Sequence, residues 1–303
     1  MQHAPLADQV GVVVTAGTGQ SLEDLDPGFV IEMLRDGGAV MLRGFAADRP
    51  AFENFTRRFA SDFMLPMMRV ARPKVDGAAD AKTAHVDVGS HAMGLHQELS
   101  FTPMRPEAIW LWCQKTAGAG GETTIADAVK IYAALTDEHK RLFETRRLKY
   151  VFGGTVEGVA ELFQVTPADL VATLASHAPA LSYTQDGNQL MFSYLTSAFQ
   201  KSKLTGATAF LNFLLFSQTA ETCGHPEAQR VTAMMRFDND ELIPPALVSE
   251  INAIAERFIY PIKWHAGDLV MIDNTRLMHG RRGFEATSER TVFYRAARRL
   301  RAI

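Results

Sequence analysis

Three short pairs of residues in this chain have types and spacing suited to chemistry: His85-Val-Asp87, His96-Gln-Glu98 and His225-Pro-Glu227. Residues two apart on an extended strand project from the same face, so each pair would aim an imidazole and a carboxylate at one point. That is half of a site for a divalent metal ion. Nine histidines and 34 acidic residues in 303 positions give roughly one such pair by chance, so context must separate the three.

The pair at 225–227 encloses a proline and follows Cys223-Gly224, which reads as a turn between elements. The pair at 85–87 sits in an aperiodic, small-residue stretch from Arg69 to Gly94, where ligands would be loosely held. The pair at 96–98 runs through Ser100-Phe-Thr-Pro103 toward the apolar strand AIWLWC (108–113). Rigid strands support ligands best. A third ligand should come from a distant element, and the strongest candidate is His279, just beyond the apolar strand DLVMIDN (268–274). Two imidazoles and one carboxylate with open positions form the facial triad of non-haem iron(II) oxygenases. The same three donors on zinc would suit a hydrolase. Arg290 begins the strand RTVFYRA, eleven residues after His279. A hairpin of that length can return a guanidinium beside the metal, where it can clamp a carboxylate bidentately.

The elements that must position these residues are read from periodicity. GVVV (11–14) and AVMLRGF (39–45) read as strands and FVIEMLRDGG (29–38) as a helix. AFENFTRRFA (51–60) carries Phe52, Phe55 and Phe59 on one helical stripe. Helical patterns dominate from Asp127 to about His225, interrupted by the strand-like pieces LSYT and QLMFSY. Strands return at RVTAMMRF (230–237), DLVMIDN and RTVFYRA, with a helix at 243–258. Strands from distant parts of the chain must therefore pair, which favours one intertwined domain over residues 1–303 rather than two consecutive ones. The segment of about 69–94 is long for a connection and reads as a lid, with His85, Asp87 and His91 as candidate substrate contacts. Arg276, Arg281, Arg282 and Arg295 are candidates for holding a substrate carboxylate or other anion.

Composition excludes several classes. A net charge of −3 argues against a nucleic-acid binder or a membrane-surface protein. No window reaches the roughly 18 apolar residues of a membrane span. The N-terminus lacks the basic region of a secretory signal, and two cysteines, Cys113 and Cys223, suit a reducing cytoplasm.

Three blocks in order resemble the taurine dioxygenase/TfdA-like superfamily of Fe(II)- and 2-oxoglutarate-dependent oxygenases. They are GGAVMLRGF with its phenylalanine-striped helix, LHQELSFTPMRPEAIWLWC with AGAGGETTIADA, and GDLVMIDNTRLMHGRRGF with Arg290. The resemblance implies His96, Glu98 and His279 as iron ligands, with Fe(II), 2-oxoglutarate and O2 as cofactor and co-substrates. It implies Arg290 as partner of the distal carboxylate of 2-oxoglutarate, with Thr123 as its hydroxyl companion and Thr124 as the adjacent alternative. Two departures narrow the placement. Leu95 stands where many members carry tryptophan, and Glu98 replaces the aspartate of taurine dioxygenase-like members. His-x-Glu is similar to the clavaminate synthase and asparagine oxygenase branch, and HQELSF resembles syringomycin-pathway type hydroxylases. These act on amino acids, free or carrier-tethered, in small-molecule biosynthesis. A retained carboxylate argues against halogenation.

The implied fold is α+β: a double-stranded β-helix (jelly-roll) core from strands at 39–45, 96–101, 108–113, 230–237, 268–274 and 290–296, with a helical insert at about 127–225 outside it. The implied reaction is C–H oxidation, in the first place hydroxylation, of a small polar substrate. Desaturation, epoxidation and cyclisation use the same triad. A zinc hydrolase leaves Arg290, Thr123 and the three blocks unexplained, and a non-catalytic binding protein is a better reading when a triad member is missing.

Overall fold

The computed structural model describes residues 1–6, 10–66, 80–86, 89–216 and 234–301. Two strands, β1 (Gln2–Pro5) and β2 (Val12–Thr15), precede α1 (Pro27–Gly37) and β3 (Ala39–Arg43). Asp26 caps α1 by accepting from the Phe29 N–H at 2.9 Å, Pro27 opens it, and Gly38 closes it in the left-handed conformation at φ 75°. The next helix, α2 (Arg49–Arg57), starts in the same way, with Asp48 accepting from the Ala51 N–H at 2.8 Å and Pro50 in the first turn. Then come β4 (Ala84–His85), β5 (Met93–His96), β6 (Ala108–Lys115) and β7 (Thr123–Asp127).

An insert follows: α3 (Ala128–Ala134), α4 (Asp137–Thr145), β8 (Leu148–Thr155), α5 (Val156–Phe163), α6 (Leu170–Ser176), β9 (Leu181–Asp186), β10 (Gln189–Thr196), β11 (Phe199–Lys201), β12 (Thr208–Phe210), β13 (Met235–Phe237) and α7 (Pro245–Ala255). The chain ends with β14 (Tyr260–Ile262), β15 (Leu269–Asp273), β16 (Leu277–Arg281) and β17 (Thr291–Ala297). Among the described residues no helix is long and apolar enough to cross a membrane.

Two sheets hold the site. One has the order β1-β2-β3-β15-β6-β17-β4, the other β14-β7-β16-β5. From β4 to β7, and again from β14 to β17, successive strands alternate between the sheets. All of these pairings are antiparallel. Period-two alternation sorts the side chains. On β15, Val270 and Ile272 pack with Ile109, Leu111, Ile125, Leu277, Val292 and Tyr294 in a cluster drawn from both sheets. Leu269 and Met271 face the other way, toward Phe52, Phe55 and Phe59 of the α2 region. The stacked rings of Phe52 and Trp112 (6.0 Å) and of Trp112 and Phe293 (5.2 Å) fix that outer layer.

The insert is more β-rich than its sequence pattern suggests. A third sheet of order β13-β8-β10-β9 lies within it. The short apolar run of β8 has no period that separates buried strand from helix. Residues 208–210, which read as the start of a helix, instead pair with β11. The strand expected at 230–237 is described only as β13, and it joins β8 in the insert rather than the core sheets. The strand expected at 96–101 ends at His96, because Leu99 adopts a left-handed φ of 61° in a tight turn.

Alternation also decides the fate of Arg295. Tyr294 faces the space between the sheets, so Arg295 faces the opposite side, fully buried. Its guanidinium donates to both oxygens of Asp80 at 3.0 and 3.1 Å and to Thr83 Oγ1 at 2.7 Å, and it lies 4.2 Å over the Phe63 ring. Thr83 in turn donates to the buried Glu53 of α2 at 2.9 Å. Arg295 thus ties the chain ahead of β4 to the sheet and is not a substrate contact. Asp80→Ala leaves this buried guanidinium without its carboxylate. It should lower stability by about 2 kcal/mol in urea unfolding, less than a fully buried pair because Asp80 is about a third exposed.

Candidate metal centre

His96 ends β5 and stands directly opposite His279 of β16 in the strand register. Their ring centroids are 4.4 Å apart. Such close approach of the strands requires Gly280, where a Cβ would lie 2.5 Å from the Met93 carbonyl oxygen. His96 Nδ1 sits 2.9 Å from the Gly94 carbonyl. A carbonyl only accepts, so Nδ1 carries the proton and Nε2 presents its lone pair.

Glu98 follows in the turn that Leu99 makes possible. Its Oε2 lies 3.8 Å from His96 Nε2 and 3.5 Å from His279 Nε2. The donor atoms of His96, Glu98 and His279 all fall within 4.8 Å of one another, and all three residues are buried. Asn274, fully buried, grips this turn from its far side. Its Oδ1 accepts from the Glu98 N–H at 2.9 Å, while its Nδ2 donates to the carbonyls of Glu98 (3.3 Å) and Pro106 (2.8 Å). The Tyr294 hydroxyl donates to Glu98 Oε1 at 3.1 Å. On the insert side, Phe213 and Phe216 meet the His96 ring edge-on, each with centroids at 5.3 Å.

Arg290 reaches the same cavity from the start of β17. The cavity is lined by His96, His279, Thr123, Leu111, Arg281 and Tyr294 among others. Arg290 Nε donates to the Gly121 carbonyl at 2.8 Å, a turn residue at φ 70°, and its Nη2 lies 3.4 Å from Thr123 Oγ1. Burial, with the nearby positive charge of Arg281, pushes the guanidinium down to about 10. It therefore stays charged at neutral pH, and among the described residues no carboxylate forms an ion pair with it. A half-buried cationic group beside a hydroxyl is a receptor for an anion. Thr123 Oγ1 also accepts from Trp264 Nε1 at 3.2 Å. Thr124 alternates to the other face of β7, where its hydroxyl approaches Gly280.

Two imidazoles and one carboxylate suit a divalent first-row metal, and a facial set of three leaves positions for further ligands. The donor set therefore fits iron(II), and the half-buried Arg290 with buried Thr123 fits a carboxylate anchored beside it.

The other expected site residues lie elsewhere. Arg276 donates to Asp127 Oδ2 (2.7 and 3.1 Å) and to the Arg35 and Asp36 carbonyls at the end of α1 (2.8 and 2.9 Å). It is a strut between helix and sheet, not a substrate contact. His85 packs its ring on Phe293 at 4.7 Å. With Ser90, His91, Ser288 and Arg290 it also lines an adjoining cavity of about 330 Å³. Asp87, His225 and Glu227 lie outside the described residues. Tyr294 and Asn274 are the contributors that sequence reasoning passed over. Strand alternation from Arg290 through Val292 reaches Tyr294, and that signal was present in RTVFYRA.

The chain matches the family described as "Taurine catabolism dioxygenase TauD, TfdA family" over residues 2–297. It belongs to that family and is thus an Fe(II)- and 2-oxoglutarate-dependent dioxygenase. The dapdiamide synthesis protein DdaC of Enterobacter agglomerans is 26% identical over 295 residues, covering 92% of this chain and 88% of that protein. A clavaminate synthase-like protein of Arabidopsis thaliana is 21% identical over 271 residues, covering 85% and 81%. Among solved structures, a taurine dioxygenase from Burkholderia xenovorans superposes with a TM-score of 0.65 at 15% identity, covering 100% of this chain and 90% of that one. PvcB from Pseudomonas aeruginosa gives 0.59 at 16% identity, covering 98% and 90%.

The turn that carries Asn274 also contains a buried titratable group. Burial pushes the Asp273 carboxyl up to about 6, although Oδ1 accepts from the Thr275 hydroxyl and N–H. The folded protein holds this proton more tightly than the unfolded chain, whose aspartates titrate near 3.8. The stabilisation is fully present below that lower value and is lost as pH rises through about 6. Denaturation curves at about pH 4 and about pH 7 should therefore show Asp273→Asn gaining roughly 2–3 kcal/mol on the wild type.

Proposed function

We propose that His96, Glu98 and His279 hold Fe(II) and that Arg290 and Thr123 hold the distal carboxylate of 2-oxoglutarate. The enzyme then oxidises a C–H bond of a small polar substrate, in the first place by hydroxylation. The observation that carries this reading is the convergence of three buried donors from β5, its following turn and β16, two of which, His96 and His279, line one cavity with the half-buried, charged Arg290. The alternation of strands between two sheets supports a double-stranded β-helix as the core of a single domain over residues 1–303.

When bound, Fe(II) with 2-oxoglutarate and O2 supplies the oxidising power, and 2-oxoglutarate leaves as succinate and carbon dioxide. The chain's own residues set position and exclude water. Arg290 and Thr123 fix one end of the co-substrate, so its other end can reach the metal in a single orientation. Val86, Met93, Leu111 and the phenylalanines beside His96 keep the site apolar. His85 and His91, at the adjoining cavity, are the proposed substrate contacts, and the described parts of the 69–94 segment flank that mouth. Dapdiamide synthesis for DdaC, and an isonitrile synthetic pathway for PvcB, are the settings their names and titles give. These settings and the His-x-Glu pattern support an amino acid or amino acid derivative, free or carrier-tethered, in small-molecule biosynthesis. Buried, free Cys113, its thiol pushed up to about 11 by burial, suits a reducing cytoplasm.

Substrate-coupled succinate release, screened over amino acids and their derivatives, should identify a substrate whose product gains one oxygen atom. With it, Arg290→Gln should raise the KM for 2-oxoglutarate about 100-fold, the loss expected of a charge-assisted hydrogen-bonded pair. An unchanged KM would contradict the assignment of Arg290.

A further inference from the structure

The two oxygens of Glu98 are in different surroundings. Oε2 faces both imidazoles, at 3.5 and 3.8 Å from their Nε2 atoms, while Oε1 accepts the Tyr294 hydroxyl at 3.1 Å. We infer that Tyr294 is a positioning residue that holds Glu98 to one-oxygen coordination and so keeps a metal position open for 2-oxoglutarate. This rests on the reading of His96, Glu98 and His279 as the metal ligands.

The need for such a residue follows from the length of glutamate. Its side chain has one more rotatable bond than aspartate, so anchoring the backbone leaves the carboxylate free to swing. Asn274 fixes the backbone of the turn on both sides of Glu98. Tyr294 fixes the other end. Its ring is buried between the sheets opposite Leu111 of β6, so the hydroxyl is aimed by a rigid strand rather than by a loop. Without that hydroxyl, both carboxylate oxygens can close on one metal ion, and the second takes a position that a chelating co-substrate requires.

Tyr294→Phe keeps the ring and removes only the hydroxyl. The probes are Mn(II) alone, then 2-oxoglutarate added to the Mn(II)-loaded protein, each titrated calorimetrically without turnover. Mn(II) affinity should be retained or tightened in the variant, while 2-oxoglutarate affinity falls about 10-fold or more. Glu98→Asp draws the carboxylate away from Tyr294. In that background, removing the hydroxyl should change 2-oxoglutarate affinity by less than about 2-fold. A general packing defect would act equally in both backgrounds and would overturn the inference. So would unchanged 2-oxoglutarate affinity in Tyr294→Phe. Should that variant fail to fold, crystals of the wild type with Mn(II) decide: Glu98 on the metal through Oε2 alone supports the role, and both oxygens on the metal overturn it. A wild type that takes up no Mn(II) overturns the metal-site reading and the role of Tyr294 together. Wild-type uptake of Mn(II) and 2-oxoglutarate with no response to the hydroxyl overturns Tyr294 alone.

Discussion

The pairing of β5 with β16 places two imidazoles side by side, and it closes only because Gly280 has no side chain to strike the Met93 carbonyl. The two strands, Met93–His96 and Leu277–Arg281, lie far apart in the chain, so the site exists only when the whole sheet pair has formed. Contacts this distant are costly in loop-closure entropy, which apolar burial must offset. The alternating burial of β15 and β17 supplies that burial on both faces of the large sheet.

Around this pairing the protein restrains His96 and Glu98 separately. The Gly94 carbonyl sets the tautomer of His96, Asn274 grips the turn that carries Glu98, and Tyr294 engages the carboxylate itself. The insert contributes Phe152 and Phe213 to an aromatic wall: Phe101, from the chain before β6, stacks on Phe152 and meets Phe213 edge-on, and Phe213 contacts His96. Such packing is rigid, so the insert does more than cover the sheet: it braces the His96 ring.

Most of the site was legible in the sequence because its residues lie in short local patterns: an i, i+2 pair, a glycine-rich turn, and a histidine followed by an arginine at hairpin distance. The strands of the core were legible where they are apolar and continuous, as in β6 and β15. Two kinds of feature were not. The first is face: the reading chose Arg295, whereas alternation from Arg290 gives Tyr294, and a shift of one residue moves a side chain to the other side of the sheet. The second is partnership. Nothing local in the sequence tells Arg276 that it will meet Asp127 and the end of α1, or shows that 208–210 will pair with β11 rather than coil. Such outcomes depend on tertiary neighbours that override local preference.

We propose that one metal ion, held by residues far apart in the chain, binds 2-oxoglutarate as a chelate. Anaerobic addition of Fe(II) and 2-oxoglutarate tests it most directly. The wild type should develop a weak visible charge-transfer absorption that His279→Ala loses. A wild type without the absorption, or a His279→Ala protein that retains it, would contradict the account.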